Sequence, residues 1–378
     1  MSIDIVKDSC VGCSACIISC PTEAIVLVND KNGFKVPKID YAKCIQCDKC
    51  NKVCPALNFD LKKDKFKGYY GWNNDDEICK TSSSGGMFSA LAERILQENG
   101  VVFGAVYSND YKTVYIGNTI ENELEELKRS KYVSADPRDS FKRVKNILSE
   151  GKKVLFVSTP CMVAGLKRAI GNHENLYTCD FICGGVSSPK MYEEHMQMLE
   201  EKYNSKIIGV NFRPKTKGWQ KQWLSIKFEN GKEYSKNAIY DLYFNCFMYQ
   251  HISIRLSCST CKFRKNHYSD ITIADFWGYK NAGVKYRDKG ISLLVLNTTQ
   301  GEKLLKSIEK KVTLFELKNE DFQYAYTERT QSNEEKKYQE KFLKDSAEYG
   351  FEKTALKIAS MNPLKYFILR VLSKLKLK

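Results

Sequence analysis

What this chain of 378 residues lacks narrows its class before any motif is read. No apolar run approaches the roughly 18 residues that a membrane-spanning helix needs; Tyr366–Leu369, near the end, is far too short. Residues Met1–Val6 include Asp4 and no apolar stretch, so no secretory leader is expected and a reducing cytoplasm is the expected location. No Gly-x-x-x-x-Gly-Lys-Ser/Thr loop occurs, and no Gly-x-Gly-x-x-Gly run follows a strand. A P-loop nucleotide site and a Rossmann-type NAD site are therefore not expected. Histidine is scarce, at 4 residues, and none has a partner at a recognisable spacing. His267, in Asn-His-Tyr, is the one near the chemically marked stretches and is a candidate for proton transfer. The formal charge of +15 comes without a nucleic-acid motif, so no nucleic-acid partner is expected.

Cysteine, by contrast, is plentiful: 15 residues. The first 54 positions hold two copies of one pattern, Cys10-x2-Cys13-x2-Cys16-x3-Cys20-Pro21 and Cys44-x2-Cys47-x2-Cys50-x3-Cys54-Pro55. Short repeated spacing of this kind is not a disulfide framework for a protein of this size. An iron–sulfur cubane needs four soft thiolates, and in this pattern three come from one run while the Cys before Pro ligates the other cluster. Cys10, Cys13, Cys16 and Cys54 are thus expected to hold one 4Fe-4S cluster, and Cys20, Cys44, Cys47 and Cys50 a second. A pair of zinc sites is the competing reading, which two complete copies with terminal Cys-Pro disfavour. Two such clusters add about −4, leaving roughly +11. That balance suits acidic partners such as small ferredoxins, anionic lipid or phosphorylated ligands, and equally a Lys-rich surface with no partner.

The expected organisation is an α+β ferredoxin-like dicluster domain over residues 1–60, with Ala24–Val28 as a strand, and a charged linker over 61–67. An α/β domain with a mixed sheet follows over 68–316. There the strands Val101–Tyr107, Val154–Val157, Leu176–Ile182, Ile271–Asp275 and Ile291–Asn297 alternate with helices near 86–99, 121–129, 138–150, 160–170, 189–203 and 300–311. Residues 317–378 read as a helical, basic tail. Its end, Pro363–Lys378, places Leu364, Ile368, Val371, Leu372 and Leu375 on one face among lysines. Such a helix suits peripheral contact with the inner face of a membrane, or docking on its own domain or a second subunit.

Four stretches of the second domain carry chemical hints. Thr81-Ser-Ser-Ser-Gly-Gly-Met87 opens a helix and offers backbone N–H groups to an anion, or merely caps that helix. Val154–Val157 runs through Ser-Thr-Pro into Cys161, at the carboxyl end of a strand, where α/β folds bind ligands. Cys179-Asp-Phe-Ile-Cys183-Gly-Gly ends a second strand in the same way. Cys258-x2-Cys261 precedes Ser269-Asp-Ile-Thr-Ile-Ala-Asp-Phe-Trp-Gly278; a metal there needs two further ligands, and Cys161 and Cys183 are available.

Together with Ser130-Lys-Tyr-Val133, Thr159-Pro-Cys161, Ile182-Cys-Gly-Gly185 and Lys289-Gly-Ile-Ser-Leu293, these stretches resemble the coenzyme F420 hydrogenase and dehydrogenase beta-subunit family over about residues 68–300. The resemblance implies non-covalent FAD, a further 4Fe-4S cluster at Cys161, Cys183, Cys258 and Cys261, and electron or hydride transfer. It makes Ser83, Ser84, Gly85 and Gly86 candidates for flavin contact, beside a helix-capping role. It makes Lys131 a candidate for an anionic flavin or phosphate, beside a solvated surface lysine, and Asp275 a candidate for a ribose or flavin N–H, beside a cap. Relatives act on deazaflavin, on a chlorophyll derivative, or on unassigned substrates in bacterial polysaccharide gene clusters. Two departures bear on the substrate: Met162 stands where Gln is usual, and Gly184 where His is common, with Ser187 in place of Pro. The expected function is an iron–sulfur flavoprotein oxidoreductase passing electrons from a ferredoxin-type donor to a small organic substrate. The alternative is a non-catalytic electron-transfer subunit that docks to a separate enzyme.

Overall fold

The computed structural model describes residues 3–60, 67–318 and 331–358. Its framework is an eight-stranded mixed sheet in the order β13-β3-β12-β11-β7-β6-β4-β5, where β3 is Lys67–Asn73, β4 Val101–Tyr107, β5 Val114–Asn118, β6 Val154–Val157, β7 Leu176–Phe181, β11 Ile271–Asp275, β12 Ser292–Leu296 and β13 Val312–Leu317. The four central strands β4, β6, β7 and β11 are parallel, and the flanking ones pair antiparallel. The central sequences are near-continuous apolar runs because helices cover both faces. Val154, Leu155 and Phe156, and all five residues of β12, are buried. On one side Met87–Gln97 buries Leu91 and Ile95; on the other Ser140–Ser149 and Pro160–Ile170 bury Val144, Ile147, Val163 and Leu166. Each expected strand of this domain lies within a residue of an observed one, whereas the helix expected over 121–129 is a single turn, Leu124–Leu127.

A second core was not foreseen. The strands β8 (Ile207–Asn211), β9 (Trp223–Phe228) and β10 (Glu233–Asn237) form a separate antiparallel sheet. It packs with Pro189–Tyr203 and Leu242–Met248 around Phe212, Tyr243, Phe244 and Phe228. A signal was present: Trp223-Leu-Ser-Ile-Lys-Phe228 alternates, and Asn230-Gly231 is a hairpin turn in which Gly231 takes φ +79°.

The cysteine-rich region contains a hairpin of β1 (Ile25–Asn29) with β2 (Lys35–Ile39), and two short helices, Ala15–Ile18 and Lys49–Val53. Residues 61–66 of the expected linker lie outside the described residues, and Lys67 already begins β3. At the other end Leu317 still belongs to β13, and the helices Asn333–Tyr349 and Phe351–Ile358 follow. These helices do not hang free, because Phe342, Leu343, Phe351 and Ala355 are buried in the second core. The amphipathic segment 363–378 lies outside the described residues. Among the described residues no helix is long and apolar enough to cross a membrane.

Candidate redox centre

The thiols of the first 54 residues gather in two groups, and each takes its fourth member from the other run. Cys10, Cys13, Cys16 and Cys54 line one gap, with Pro55 and Val6 beside them. Cys20, Cys44, Cys47 and Cys50 line another, a cavity of about 240 Å³. The loops that wrap them need left-handed backbone at Gly12 and Ser14 in the first run and at Gln46 and Asp48 in the second. That conformation costs roughly 1–2 kcal/mol at a residue with a Cβ, a cost that tight wrapping of a bound group would offset.

The two groups differ in setting. Cys13, Cys16 and Cys54 of the inner group are buried, while Cys47 of the outer group is exposed beside Ile45, itself 63% exposed, and Tyr41. Burial, reinforced by the charges of Cys10 and Cys54, pushes the Cys16 thiol up to about 12. At Cys20 burial also acts upward, but N–H groups of Thr22 and Ala24 directed at the sulfur outweigh it and the thiol falls below its ordinary value. Among the described residues no three His, Cys, Asp or Glu side chains are close enough to hold a single metal ion.

The inner group faces the large domain. A Cβ built on Gly165 would stand 2.6 Å from the Cys13 sulfur, so glycine at this buried helix position is what allows the two surfaces to meet. Gly165 lies on the Pro160–Ile170 helix, which carries Cys161 one turn earlier. On the other side the Ser257 hydroxyl donates to the Cys10 carbonyl at 2.9 Å, next to Cys258. Further ties are Arg168 to the Asp60 carboxylate (2.8 Å) and to the Lys52 carbonyl (3.2 Å), and Lys35 to Asp136 (2.9 Å).

Cys161, Cys183, Cys258 and Cys261 also converge. Burial pushes the Cys161 thiol up to about 12 and Cys258 to about 11, and in each the nearby Cys261 adds to it. Cys183 rises as well, through burial and then Cys258 and Cys161. Topology explains the meeting: Cys161 follows the carboxyl end of β6 and Cys183 that of β7, adjacent parallel strands. The Cys258 segment is held from the described tail, where the buried Gln339 donates to the Ile254 carbonyl (2.7 Å) and accepts from the Ser259 hydroxyl (2.6 Å). Arg264 donates to the Cys258 carbonyl at 2.9 Å. Gly184 leaves open space, with no atom within 4 Å of a Cβ built there.

The polar candidates assemble at the same edge of the sheet. The Ser83 hydroxyl accepts from the Ser130 backbone N–H at 2.9 Å, next to Lys131. The Ser84 hydroxyl donates to the Ile291 carbonyl at 3.0 Å, which also accepts the Phe276 N–H. Gly85 N–H donates to the Ser292 hydroxyl at 2.9 Å, and Gly86, at φ +83°, caps the Met87–Gln97 helix with no side-chain partner. Cys79, buried below, donates its S–H to the Asn73 and Gly85 carbonyls. The Lys131 ammonium sits 2.8 Å from the Lys128 carbonyl and over the Tyr107 ring, and burial, with Arg129 nearby, lowers it to about 7. Asp275 is fully engaged: Arg213 donates to one oxygen at 2.9 Å and the Trp219 indole N–H to the other at 2.7 Å.

Lys215 and Trp219 carried no local signal. Lys215, which burial lowers to about 8, donates to the Cys79, Ser84 and Lys289 carbonyls, each at 2.6 Å, and so fastens the Ser/Gly loop to the Gly290 turn. Trp219 stacks on Trp277 at 4.8 Å, and Trp277 presents 47% of its surface to solvent with Arg213 over its ring. His267 is buried and shares a hydrogen at 2.8 Å with Asp180, which also accepts from the Thr272 hydroxyl.

Two wrapped thiol groups on a small domain, set against a mixed α/β sheet, mark an iron–sulfur protein of the electron-transfer type. Residues 9–58 match the 4Fe-4S dicluster domain, residues 68–139 the N-terminal domain of the coenzyme F420 hydrogenase/dehydrogenase beta subunit, and residues 151–321 its C-terminal domain. The chain belongs to the coenzyme F420 hydrogenase/dehydrogenase beta-subunit family, with a 4Fe-4S domain at its amino end. It is 22% identical over 326 residues to the coenzyme F420-dependent sulfite reductase of Methanocaldococcus jannaschii, covering 80% of this chain and 46% of that protein. It is 31% identical over 62 residues to a polyferredoxin-like protein of the same organism, covering 14% of this chain and 37% of that one. The chain thus spans less than half the length of either relative. Among solved structures it is similar to a chain of the F420-reducing [NiFe] hydrogenase complex from Methanosarcina barkeri, at 16% identity and a TM-score of 0.46, covering 78% of this chain and 92% of that one.

Proposed function

We propose that the chain is an iron–sulfur flavoprotein oxidoreductase with three 4Fe-4S sites in series and an FAD, serving a ferredoxin-type donor and a small organic substrate. When bound, the clusters exchange single electrons and the flavin pairs them for a two-electron reaction. One observation carries this reading: the inner thiol group touches both segments that bear the third group, through Cys13 on the Cys161 helix and Cys10 on the Cys258 segment. Cys47, beside exposed Ile45 and Tyr41, keeps the outer site open to a redox partner, whose acidic surface the lysine-rich chain would favour. At the inner site Cys13, Cys16 and Cys54 are buried and Cys10 is half-buried. Cys161 and Cys183 stand just past the carboxyl ends of two adjacent parallel strands, where this class of sheet binds ligands.

The residues fit a flavin in two ways. The N-terminus of the Met87–Gln97 helix, capped by Gly86 without a side-chain bond, offers backbone N–H groups to a phosphate, and the half-exposed Trp277 offers an aromatic edge nearby. Ser83, Ser84, Gly85 and Asp275 already bond within the protein, and so act by shaping the loop and holding Arg213. Lys131, poised near neutrality, gains its proton fully when an anion binds beside it. The name of the sulfite reductase relative makes a deazaflavin the first substrate to try, with substrates of polysaccharide biosynthesis next.

A second reading, an electron-transfer subunit with no substrate of its own, is favoured by the chain's covering 46% of that relative. Anaerobically purified protein is expected to hold stoichiometric FAD and about twelve iron atoms, four per cluster. Iron near eight without flavin overturns the proposal. Twelve irons with a flavin that is reduced only when a second protein is added selects the subunit reading.

A further inference from the structure

Between the inner thiol group and the third one lies Arg255, to which neither the motifs nor the family resemblance assigns a part. Its side chain is buried, at 5% exposure, and among the described residues its Nε has no hydrogen-bond partner. The guanidinium donates to the carbonyls of Cys10 (3.3 Å) and Lys35 (3.2 Å) and lies 4.7 Å over the Phe34 ring. A Cβ on Gly12 would stand 2.8 Å from its Nη2, so the charge rests directly on the loop that wraps the inner site. The backbone of Arg255 caps the Leu256–Ser259 turn that carries Cys258, and its carbonyl accepts the Cys258 N–H at 2.9 Å. Among the described residues no Asp or Glu pairs with it.

A buried cation without a carboxylate is costly, by several kcal/mol even after the protein relaxes around it. Two carbonyls and one ring are modest compensation. Arg255 bonds the Cys10 carbonyl on one side and carries the Cys258 turn on the other, and the thiolates of both cysteines, as cluster ligands, carry net negative charge. We infer that Arg255 is the shared countercharge of the inner site and the Cys161/Cys183/Cys258/Cys261 site, a positioning residue that stabilises the reduced, more negative state of both clusters and leaves the outer site unaffected. Cluster potentials follow net charge and local hydrogen bonding, so one cation between two sites raises both potentials together and keeps an electron from stalling between them. The inference rests on the proposed third cluster. Iron content tests that cluster, and reduction potentials test Arg255.

The experiment is a redox titration of the full-length, cluster-loaded protein followed by electron paramagnetic resonance, for the wild type and Arg255→Gln, Arg255→Met and Arg255→Lys. Signals are assigned by what is lost in Cys183→Ala and Cys47→Ala. In the neutral variants that keep about twelve irons, the one-electron reduction constants of the inner and third sites are expected to fall at least about tenfold, ~59 mV. The outer site stays fixed, and the Lys variant stays near wild type. Unchanged potentials, or an equal shift at all three sites, overturn the inference. If both neutral variants lose the iron of either flanking site, retention of that iron and its potential in the Lys variant upholds the need for charge. Its loss there as well reduces Arg255 to a packing residue and overturns the inference.

Discussion

The two thiol groups of the amino-terminal domain come from copies of one pattern, yet the fold gives them opposite surroundings. The outer group opens on a cavity of about 240 Å³ with Cys47 at the surface and Tyr41 and Ile45 around it. The inner group has three buried cysteines and packs against Gly165 and Ser257 of the large domain. Identical ligand spacing therefore does not mean identical duty. The outer group keeps an exposed cysteine at the surface, whereas the inner one packs against the large domain, and the order of sites proposed above rests on that difference.

The largest test of this contrast removes one ligand from each side. Cys47→Ala is expected to lose about four irons and to slow reduction of the remaining sites by a ferredoxin-type donor by orders of magnitude. Cys13→Ala should lose the same iron yet leave the outer site reducible, as read by iron analysis and stopped-flow absorbance. Equal behaviour of the two variants would break the contrast. Next, Gly165→Val drives side-chain atoms into the Cys13 sulfur, and overpacking of this kind costs about 1–3 kcal/mol. A lowered melting temperature with selective loss of inner-site iron is expected from calorimetry and spectroscopy.

A subtler contrast appears on iron removal. The thiolate is the reactive form, so in briefly chelated protein Cys20, held below its ordinary value, and exposed Cys47 should alkylate at neutral pH before Cys13 and Cys16, which burial pushes up. Peptide mass spectrometry gives the order, and early labelling of Cys16 would contradict the buried setting. The smallest effect is expected at Lys131, on the large domain and away from both amino-terminal thiol groups. Lys131 falls from 10.5 to about 7 in the fold, so the unfolded chain binds the extra proton between those values and folding stability rises with pH across them. A stability advantage of Lys131→Met is expected to shrink from pH 7 towards 10, in denaturant titrations, with both thiol groups unaffected.

Legibility varied with how local each feature is. The strands of the large sheet could be read because buried parallel strands are short continuous apolar runs; β6 and β12 are the clearest. The three-stranded sheet was missed although Asn230-Gly231 marks its hairpin, because its strands alternate weakly and Lys and Glu interrupt them. Ser83, Ser84, Gly85, Gly86, Lys131 and Asp275 do assemble at one edge, but their bonds lie mostly within the protein. Lys215, Arg213, Trp219 and Arg255, which hold that edge and the junction together, sit in stretches without a local pattern.

By itself the sequence marked the eight amino-terminal cysteines and carried the expectation that each run lends its Cys-Pro thiol to the other group, because two copies of one short pattern can be read locally. It also marked the carboxyl ends where Cys161 and Cys183 emerge. Tertiary structure alone decided that the inner group abuts the Cys161 helix and the Cys258 segment, and that a lone buried arginine stands between them. Those relations join residues up to 247 positions apart. Burial and electrostatics at such separations are set by how the two domains pack, and no local pattern in the chain records them.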